Sequence, residues 1–172
     1  MNYNIINNQN LIVLNELKQI PFSLIGALKT FTQQGGHILI IPSEDIDLNS
    51  YNSLLLNYEN AFNPITKREK QVMTINYEHP LFNNDVFEKR VTNFQYPKTN
   101  SFYSYKNKPN AQILNFEDGQ AFLFQNKNTY IFTAPLNISN SNFKNSPLIV
   151  PTLYNIAKFS FKIPALYFTV SL

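Results

Sequence analysis

Ser43 and His79 are the two residues of this sequence that could act together as a nucleophile and a base. Ser43 follows the apolar run His37–Ile41, and open α/β sheets bind ligands at the carboxyl ends of such strands. A serine hydroxyl becomes nucleophilic when a base lies within hydrogen-bond reach, and His79 is the only histidine downstream of Ser43. A serine beside two carboxylates and a histidine before a proline are also typical of turns, and we favour that role for both.

Acidic residues lie close to the ends of the same predicted strands. Glu16 follows the first strand, so its carboxylate could contact a ligand in the same crevice. The cluster Glu44, Asp45 and Asp47 could bind a hard cation, but it lacks the spacing of a calcium loop, and capping of the next helix is the simpler role. The sequence therefore predicts no catalytic residue, no metal site and no cofactor, and its candidate ligand-binding residues are Glu16, Ser43, Glu44 and His79.

The composition excludes several classes of protein. The 172-residue chain has no cysteine, which rules out a thiol nucleophile, a disulfide and any cysteine-ligated metal cluster. Its two histidines, His37 and His79, cannot form a three-histidine metal site. The formal net charge of +3 comes from scattered lysines and not from a basic stripe, so we do not expect nucleic-acid binding.

The first part of the chain has the pattern of a βαβ unit. Residues 11–14 and 37–41 are continuous apolar runs, typical of strands buried on both faces. Between them, Pro21 suits the first turn of a helix, apolar residues recur at helical spacing, and Gly35-Gly36 suits a left-handed helix end. Such a unit implies two parallel strands joined by a right-handed crossover.

The central part of the chain is less regular. Residues 48–58 predict a second helix, which Asp47 or Asn49 could cap. Residues 59–70 are polar and carry a run of charges, so we expect a solvated loop or helix end there. Residues 71–77 predict a strand, and a turn through His79 follows it. Residues 85–87 could form a short helical turn.

The last part of the chain is rich in short strands. They are expected at 102–105, 111–116, 121–125 and 129–134, separated by turn signals, and the last two should form an antiparallel hairpin. Ser146-Pro147 then predicts the start of a helix, with Ser146 as its cap. Residues 165–171 predict a final strand.

A dense set of aromatic residues offers the best binding hypothesis. Aromatic residues at strand spacing usually pack in the core or form cross-strand pairs, and we favour that role here. The alternative is an exposed surface for a protein partner or a carbohydrate, because tyrosine and phenylalanine are frequent interface anchors. The set consists of Phe94, Tyr96, Phe102, Tyr103 and Tyr105.

Two groups of short motifs resemble known families. The first resembles the core of class I glutamine amidotransferase-like domains, and its residues are Asn15-Glu16-Leu17, Leu28 and Gly35-Gly36-His37-Ile38-Leu39-Ile40-Ile41-Pro42. The second is similar to the soluble part of BatA-type, aerotolerance-related membrane proteins of Bacteroidetes. Its residues are His79-Pro80-Leu81-Phe82, Val86-Phe87, Thr129-Tyr130-Ile131-Phe132-Thr133-Ala134-Pro135-Leu136, Ser141-Asn142-Phe143 and Pro147-Leu148-Ile149-Val150-Pro151-Thr152-Leu153-Tyr154-Asn155-Ile156-Ala157.

The resemblance implies a fold and a location. The fold would be α/β, a flavodoxin-like three-layer sandwich with a mainly parallel central sheet and an antiparallel extension, in a single domain covering residues 1–172. The domain would lie on the periplasmic side of the inner membrane, as the soluble part of a longer membrane-anchored protein. Its partners would be other cell-envelope proteins, and only segments outside residues 1–172 would enter the membrane.

The sequence departs from the amidotransferase pattern at the point that carries the chemistry. Those enzymes need a cysteine on a tight, glycine-flanked turn after a strand. Here the strand His37–Ile41 runs into Pro42-Ser43-Glu44-Asp45, with no cysteine and no flanking glycine. We therefore expect a non-catalytic domain that mediates protein–protein interaction. The alternatives are a degenerate hydrolase, or a small-ligand or carbohydrate-binding domain that uses the crevice at the strand carboxyl ends.

Overall fold

The computed structural model describes residues 3–83 and 95–162, which form one seven-stranded sheet with helices packed against it. The strands are β1 (Leu11–Asn15), β2 (His37–Ile41), β3 (Phe62–Ile75), β4 (Lys98–Tyr105), β5 (Ala111–Phe116), β6 (Ala121–Asn126) and β7 (Thr129–Phe132). The helices are α1 (Phe22–Gln33), α2 (Leu48–Leu55), α3 (Pro80–Asn83) and α4 (Ile149–Phe159). The predictions for 85–87, Phe94 and 165–171 lie outside the described residues.

The βαβ unit predicted from the sequence is present. β1 and β2 pair in parallel, with Leu11 opposite His37, and α1 connects them. Gly35 ends the helix at a φ of 83°, in the left-handed region that glycine adopts without strain. Gly36 is needed for space, because a Cβ there would lie 2.3 Å from the ring of buried Phe31.

The sheet is mixed, and most of it is antiparallel. Its strand order is β1-β2-β7-β6-β5-β3-β4. The pairs β1–β2 and β2–β7 are parallel, whereas the other four pairs are antiparallel. The α/β class is therefore confirmed, but the prediction of a mainly parallel sheet is wrong. The parallel strands β1, β2 and β7 lie next to one another and form the parallel half of the sheet. The strands β3 to β6 form the antiparallel half.

The largest error in the sequence prediction concerns residues 59–70. The sequence predicts a solvated loop or helix end there, but residues 62–70 form the first part of the 14-residue strand β3. This part pairs with β4, with irregularities between Phe62 and Ile65 and between Lys67 and Lys70. Pro64 lies inside the first irregularity, where the missing amide hydrogen is tolerated.

Two hydrophobic clusters occupy the two faces of the sheet. Ile38 and Ile40 of β2 belong to one cluster, and their neighbours Leu39 and Ile41 belong to the other, as the alternation of a strand requires. Helices α1 and α2 contribute side chains to the first cluster, whereas α3 and α4 contribute to the second. The second cluster contains a chain of aromatic rings with centroids 5.3–5.6 Å apart: Phe102, Phe116, Phe122, Phe132 and Phe143.

The predicted cap of α2 is confirmed, and the predicted cap of α4 is wrong. The carboxylate of Asp47 accepts a hydrogen bond of 2.7 Å from the backbone N of Ser50, at the start of α2. Ser146 Oγ accepts one of 3.2 Å from Leu148 N, but α4 begins at Ile149 with Leu148 as its N-cap, so Ser146 holds the turn before the helix. Within residues 3–83 and 95–162, no helix is long and apolar enough to cross a bilayer.

Candidate functional site

The candidate site is the edge of the sheet where the parallel strands β1, β2 and β7 end. Glu16 directly follows β1, Ser43 and Glu44 follow β2, and the turn at Leu136 and Asn137 follows β7. Parallel strands place their carboxyl ends on the same edge, and this is where open α/β sheets bind ligands. Three of the four predicted site residues are therefore brought to one edge.

Glu16 joins the ends of β1 and β7. Its Oε1 accepts hydrogen bonds from the backbone N of Leu136 (3.0 Å) and of Asn137 (2.8 Å), and its Oε2 accepts one of 3.2 Å from Asn137 Nδ2. Its backbone has a φ of 51°, a left-handed conformation that few non-glycine residues adopt. This carboxylate holds a turn that begins 120 residues further along the chain.

Ser43 is engaged with a carboxylate and not with a base. Its hydroxyl donates to Asp45 Oδ1 at 2.7 Å, and the other carboxylate oxygen of Asp45 accepts from Lys18 Nζ at 2.6 Å. These hydrogen bonds, from Lys18 first and then from Ser43, lower the pKa of Asp45, while Asp45 raises the pKa of Lys18. The Asp45 and Lys18 side chains are largely exposed, so this group forms a solvated turn.

Glu44 makes one weaker contact. Its carboxylate accepts a hydrogen bond of 3.4 Å from the hydroxyl of Ser139, and its side chain is exposed. The same Ser139 hydroxyl proton is shared with the much closer Oδ1 of Asn137, at 2.5 Å, and the Nδ2 of Asn137 donates to Glu16. A chain of polar contacts thus runs along the edge from Glu16 to Glu44.

Two buried phenols lie behind this edge, and the sequence analysis did not assign them there. Tyr51 donates to the backbone O of Leu17 at 2.6 Å, and Tyr103 donates to the backbone O of Ser43 at 2.7 Å. Burial raises the pKa of Tyr103 to about 12, and burial also moves the pKa of Tyr51 well above its usual range. Both phenols are therefore neutral donors that hold the backbone next to the candidate residues. No local motif in the sequence links Tyr103 to Ser43, because 60 positions separate them.

His79 lies at the opposite edge of the sheet from Ser43. Its Nε2 is 3.0 Å from Oε1 of Gln125, a β6 residue that pairs with Tyr130 near the start of β7. Its Nδ1 accepts a hydrogen bond of 3.3 Å from the backbone N of Leu81. Burial lowers the pKa of His79, although the bond to Gln125 acts in the other direction. The structure does not bring Ser43 and His79 together.

The aromatic residues divide into a buried pair and a partly exposed pair. Phe102 and Tyr103 are 4% and 2% exposed, so their rings belong to the two cores. Tyr105 is half-buried, its ring contacts Phe124, and its hydroxyl accepts a hydrogen bond of 2.8 Å from Ala121 N. Tyr96 is half-buried and lines a hollow of about 430 Å³ beside the start of β4.

Lys70 is the charged residue that the sequence analysis placed in solvent and the structure places in the core. Its side chain is 1% exposed, and its ammonium group bonds to Asp118 Oδ2 and, at 3.1 Å, to Gln120 Oε1. The same nitrogen lies 4.0 Å from the ring centroid of Phe102. Burial of Asp118 by itself raises its pKa, but the bonds from Lys70 and from the backbone of Gln120 outweigh that effect and lower it.

The chemistry of the candidate edge is limited by these contacts. Glu16 and Ser43 each hold a turn, and Asp45 is neutralised by a lysine. Among the described residues, no three histidine, aspartate or glutamate side chains are grouped to hold a metal ion. A wider groove of about 510 Å³ lies elsewhere, by the end of β3 and the start of β5, and contains Asn76, Asn110, Gln112 and Asn115.

Comparison with known proteins gives likeness of structure without likeness of sequence. No family model matches the chain, and no curated protein matches it. A β-galactosidase from the psychrophilic Marinomonas ef1 superposes on 88% of this chain with a TM-score of 0.57 and 13% identity. The mmIFT52 N-terminal domain superposes on 92% of this chain and 80% of its own length, with a TM-score of 0.52 and 14% identity. The chain spans only 20% of the β-galactosidase. At such low identities the similarity concerns the fold alone.

Proposed function

We propose that this chain is a non-catalytic, flavodoxin-like α/β domain that mediates protein–protein contacts. The sequence resembles amidotransferase-like domains of membrane-anchored cell-envelope proteins, and we propose the periplasmic side of the inner membrane as its location. The flavodoxin-like, three-layer arrangement is supported by the two hydrophobic clusters, each with its own pair of helices.

The observation that carries this proposal is the state of the polar groups at the carboxyl edge. The carboxylate of Glu16 accepts three hydrogen bonds from the turn after β7, and the Ser43 hydroxyl donates to Asp45. A nucleophilic serine needs a base at its hydroxyl, and a carboxylate that is already neutralised by Lys18 is a weak one. These side chains form hydrogen bonds that hold the turns after the strands in place.

Reactivity of Ser43 toward a fluorophosphonate probe tests the non-catalytic part of the proposal. Such a probe labels a serine that is activated by a base. We expect mass spectrometry to show no labelling at Ser43, and the total labelling should equal that of the Ser43→Ala variant. Stoichiometric labelling that disappears in Ser43→Ala would support the hydrolase alternative and overturn the proposal.

The hollow beside Tyr96 is the surface that we propose for the protein contact. It is lined by Tyr96, Lys98, Asn142 and Asn145, and a half-buried tyrosine at the rim of a polar hollow is a suitable interface anchor. A photo-crosslinking amino acid at position 96, in the intact membrane protein, tests this surface. We expect a discrete crosslinked species, whereas the same probe at exposed Met73 should give none. Equal crosslinking at both positions would contradict a specific contact.

A second candidate function is the binding of a small neutral ligand such as a carbohydrate. The observation that favours it is the groove of about 510 Å³ that is lined by Asn76, Asn110, Gln112 and Asn115. The Oδ1 of Asn115 is buried and has no hydrogen-bond partner among the described residues. Amide groups donate and accept without charge, which suits a polyhydroxylated ligand. A rise in melting temperature with a mono- or disaccharide, abolished by Asn115→Ala, is the expected sign of this function.

A further inference from the structure

Helix α4 exposes large apolar side chains on the side that faces away from the protein. The side that it turns to the protein carries Ile156, Thr152 and Asn155, which are 0%, 0% and 7% exposed. The opposite side carries Val150 and Tyr154, which are 71% and 64% exposed. A surface helix normally buries its apolar stripe and exposes its polar one.

The exposed apolar residues form one continuous face. They occur at intervals of three and four residues, which places them on the same side of a helix. We call this set the outer face of α4, and it consists of Val150, Leu153, Tyr154 and Ala157. Phe161, two positions past the end of α4, is also 67% exposed.

Positive charge accompanies this face. Lys158 is exposed and lies one position after Ala157, and Lys144 is exposed just before the helix. Residues 119–172 contain four lysines and no aspartate or glutamate, so the last third of the sequence carries no acidic side chain. An apolar, aromatic helix face bordered by lysines has the chemistry that binds anionic membrane surfaces.

We propose that the outer face of α4 lies against a lipid bilayer that contains anionic headgroups. The 11 residues of α4 give a length of roughly 16 Å, about half of the hydrocarbon thickness, so the helix would lie in the interface and not cross it. A convex apolar face has no groove to receive a peptide, and the exposed lysines Lys144 and Lys158 beside it favour an anionic surface over a typical protein surface. This lipid contact is separate from the protein contact proposed at Tyr96 and does not depend on it.

Co-sedimentation with lipid vesicles tests the proposal. The intact domain should bind vesicles that contain phosphatidylglycerol and bind vesicles of phosphatidylcholine alone at least about fivefold more weakly. The double variant Leu153→Ser/Tyr154→Ser should lose about tenfold or more of the binding, because two apolar side chains no longer enter the interface. Lys158→Glu should lose about tenfold, and its loss should be smaller at high salt.

A matched control distinguishes binding through the outer face of α4 from non-specific adsorption to vesicles. Phe22, at the start of α1, is 75% exposed, so Phe22→Ser removes an equally exposed apolar side chain from a different helix. Its vesicle binding should equal that of the wild type. Circular dichroism and melting temperature check that every variant is folded, and all the substituted side chains are exposed.

An environment-sensitive fluorophore gives a second readout that does not depend on the loss of binding. The chain has no cysteine, so Tyr154→Cys provides a unique attachment point, and Phe22→Cys provides its control. We expect a blue shift on addition of phosphatidylglycerol vesicles at position 154 and none at position 22. The proposal is overturned by equal shifts at the two positions, by equal binding of all variants, or by protection of position 154 through self-association without lipid.

Discussion

The two halves of the sheet use polar side chains in opposite ways. In the parallel half, the ion pair Lys18–Asp45 is exposed, and the polar groups at the strand ends hold turns together. In the antiparallel half, Lys70 is fully buried between aromatic rings, and Asp118 closes its site. The first half carries its charge in water, where an ion pair contributes little. The second carries a charge inside the core, where loss of a partner is costly.

This difference shows where the sensitive positions of the fold lie. The residues that first attract a functional interpretation, Ser43 and Asp45, are held by contacts that water could replace. Lys70, which the sequence analysis places in a solvated run, has a side chain that is only 1% exposed. Burial, and not the chemical type of the residue, separates them.

The largest expected effect comes from removing one partner of the buried pair. Asp118→Ala leaves the ammonium group of Lys70 without its carboxylate, and we expect a loss of about 3 kcal/mol in the free energy of unfolding by urea. Asp45→Ala, which removes the matching carboxylate of the exposed pair, should leave the stability unchanged. The double variant Lys70→Met/Asp118→Ala should recover most of the loss. Equal stability of Asp118→Ala and Asp45→Ala would contradict the contrast between the halves.

The second effect concerns packing in the parallel half. Gly36→Ala places a Cβ 2.3 Å from the ring of Phe31, which is fully buried, so the ring must move. We expect a loss of about 2 kcal/mol in the free energy of unfolding. Gly26→Ala, inside α1 with open space around it, should instead raise stability by about 0.5–1 kcal/mol. Two changes of the same sign would show that space at these positions is not the deciding factor.

A smaller effect is expected at the carboxyl edge. Glu16→Gln weakens the bonds to the backbone of Leu136 and Asn137, because an amide oxygen accepts less strongly than a carboxylate. We expect a loss of about 1 kcal/mol in unfolding free energy. Glu44→Gln alters an exposed side chain whose contact with Ser139 is a long hydrogen bond of 3.4 Å, so it should have no effect. Stability that is identical in the two variants would remove the structural role that we assign to Glu16.

The smallest effect separates the two histidines, one in each half. Burial lowers the pKa of His79 and of His37 below the unfolded value of 6.5, so the unfolded state binds protons first as the pH falls. Stability from this source is complete above about pH 6.5 and is lost as the pH falls from there through the folded-state pKa. The free energy of unfolding by urea should fall between about pH 7.5 and about pH 5.5 in the wild type. In His79→Gln this fall should be smaller, and the difference should be less than about 1 kcal/mol. His37→Gln is the comparison in the parallel half, and an unchanged loss in both variants would contradict the sign.

The sequence predicted the elements better than their arrangement. The runs at 11–14 and 37–41 are apolar on both faces, and the helix and glycines between them identify the βαβ unit without further information. The first half of β3 could not be recognised, because Pro64 and the charges of residues 67–70 are typical of loops. Its strand conformation comes from pairing with β4, which lies about 35 residues away.

The candidate site was predicted in part for the same reason. Glu16, Ser43 and Glu44 follow parallel strands, and strand direction alone brings them to one edge. The bonds that define their roles come from Leu136, Asn137 and Tyr103, which are distant in sequence. The position of His79 depends on Gln125 of the antiparallel half, so no local pattern could place it at the other edge.

The position of β7 beside β2 has a consequence for how the chain is made. Ile38 pairs with Thr129, so this central contact joins residues roughly ninety positions apart. A ribosome releases β1, α1 and β2 long before it releases the strand that completes them, and the whole antiparallel half is synthesised in between. The edge of β2 that pairs with β7 therefore stays unpaired until the rest of the sheet has been synthesised.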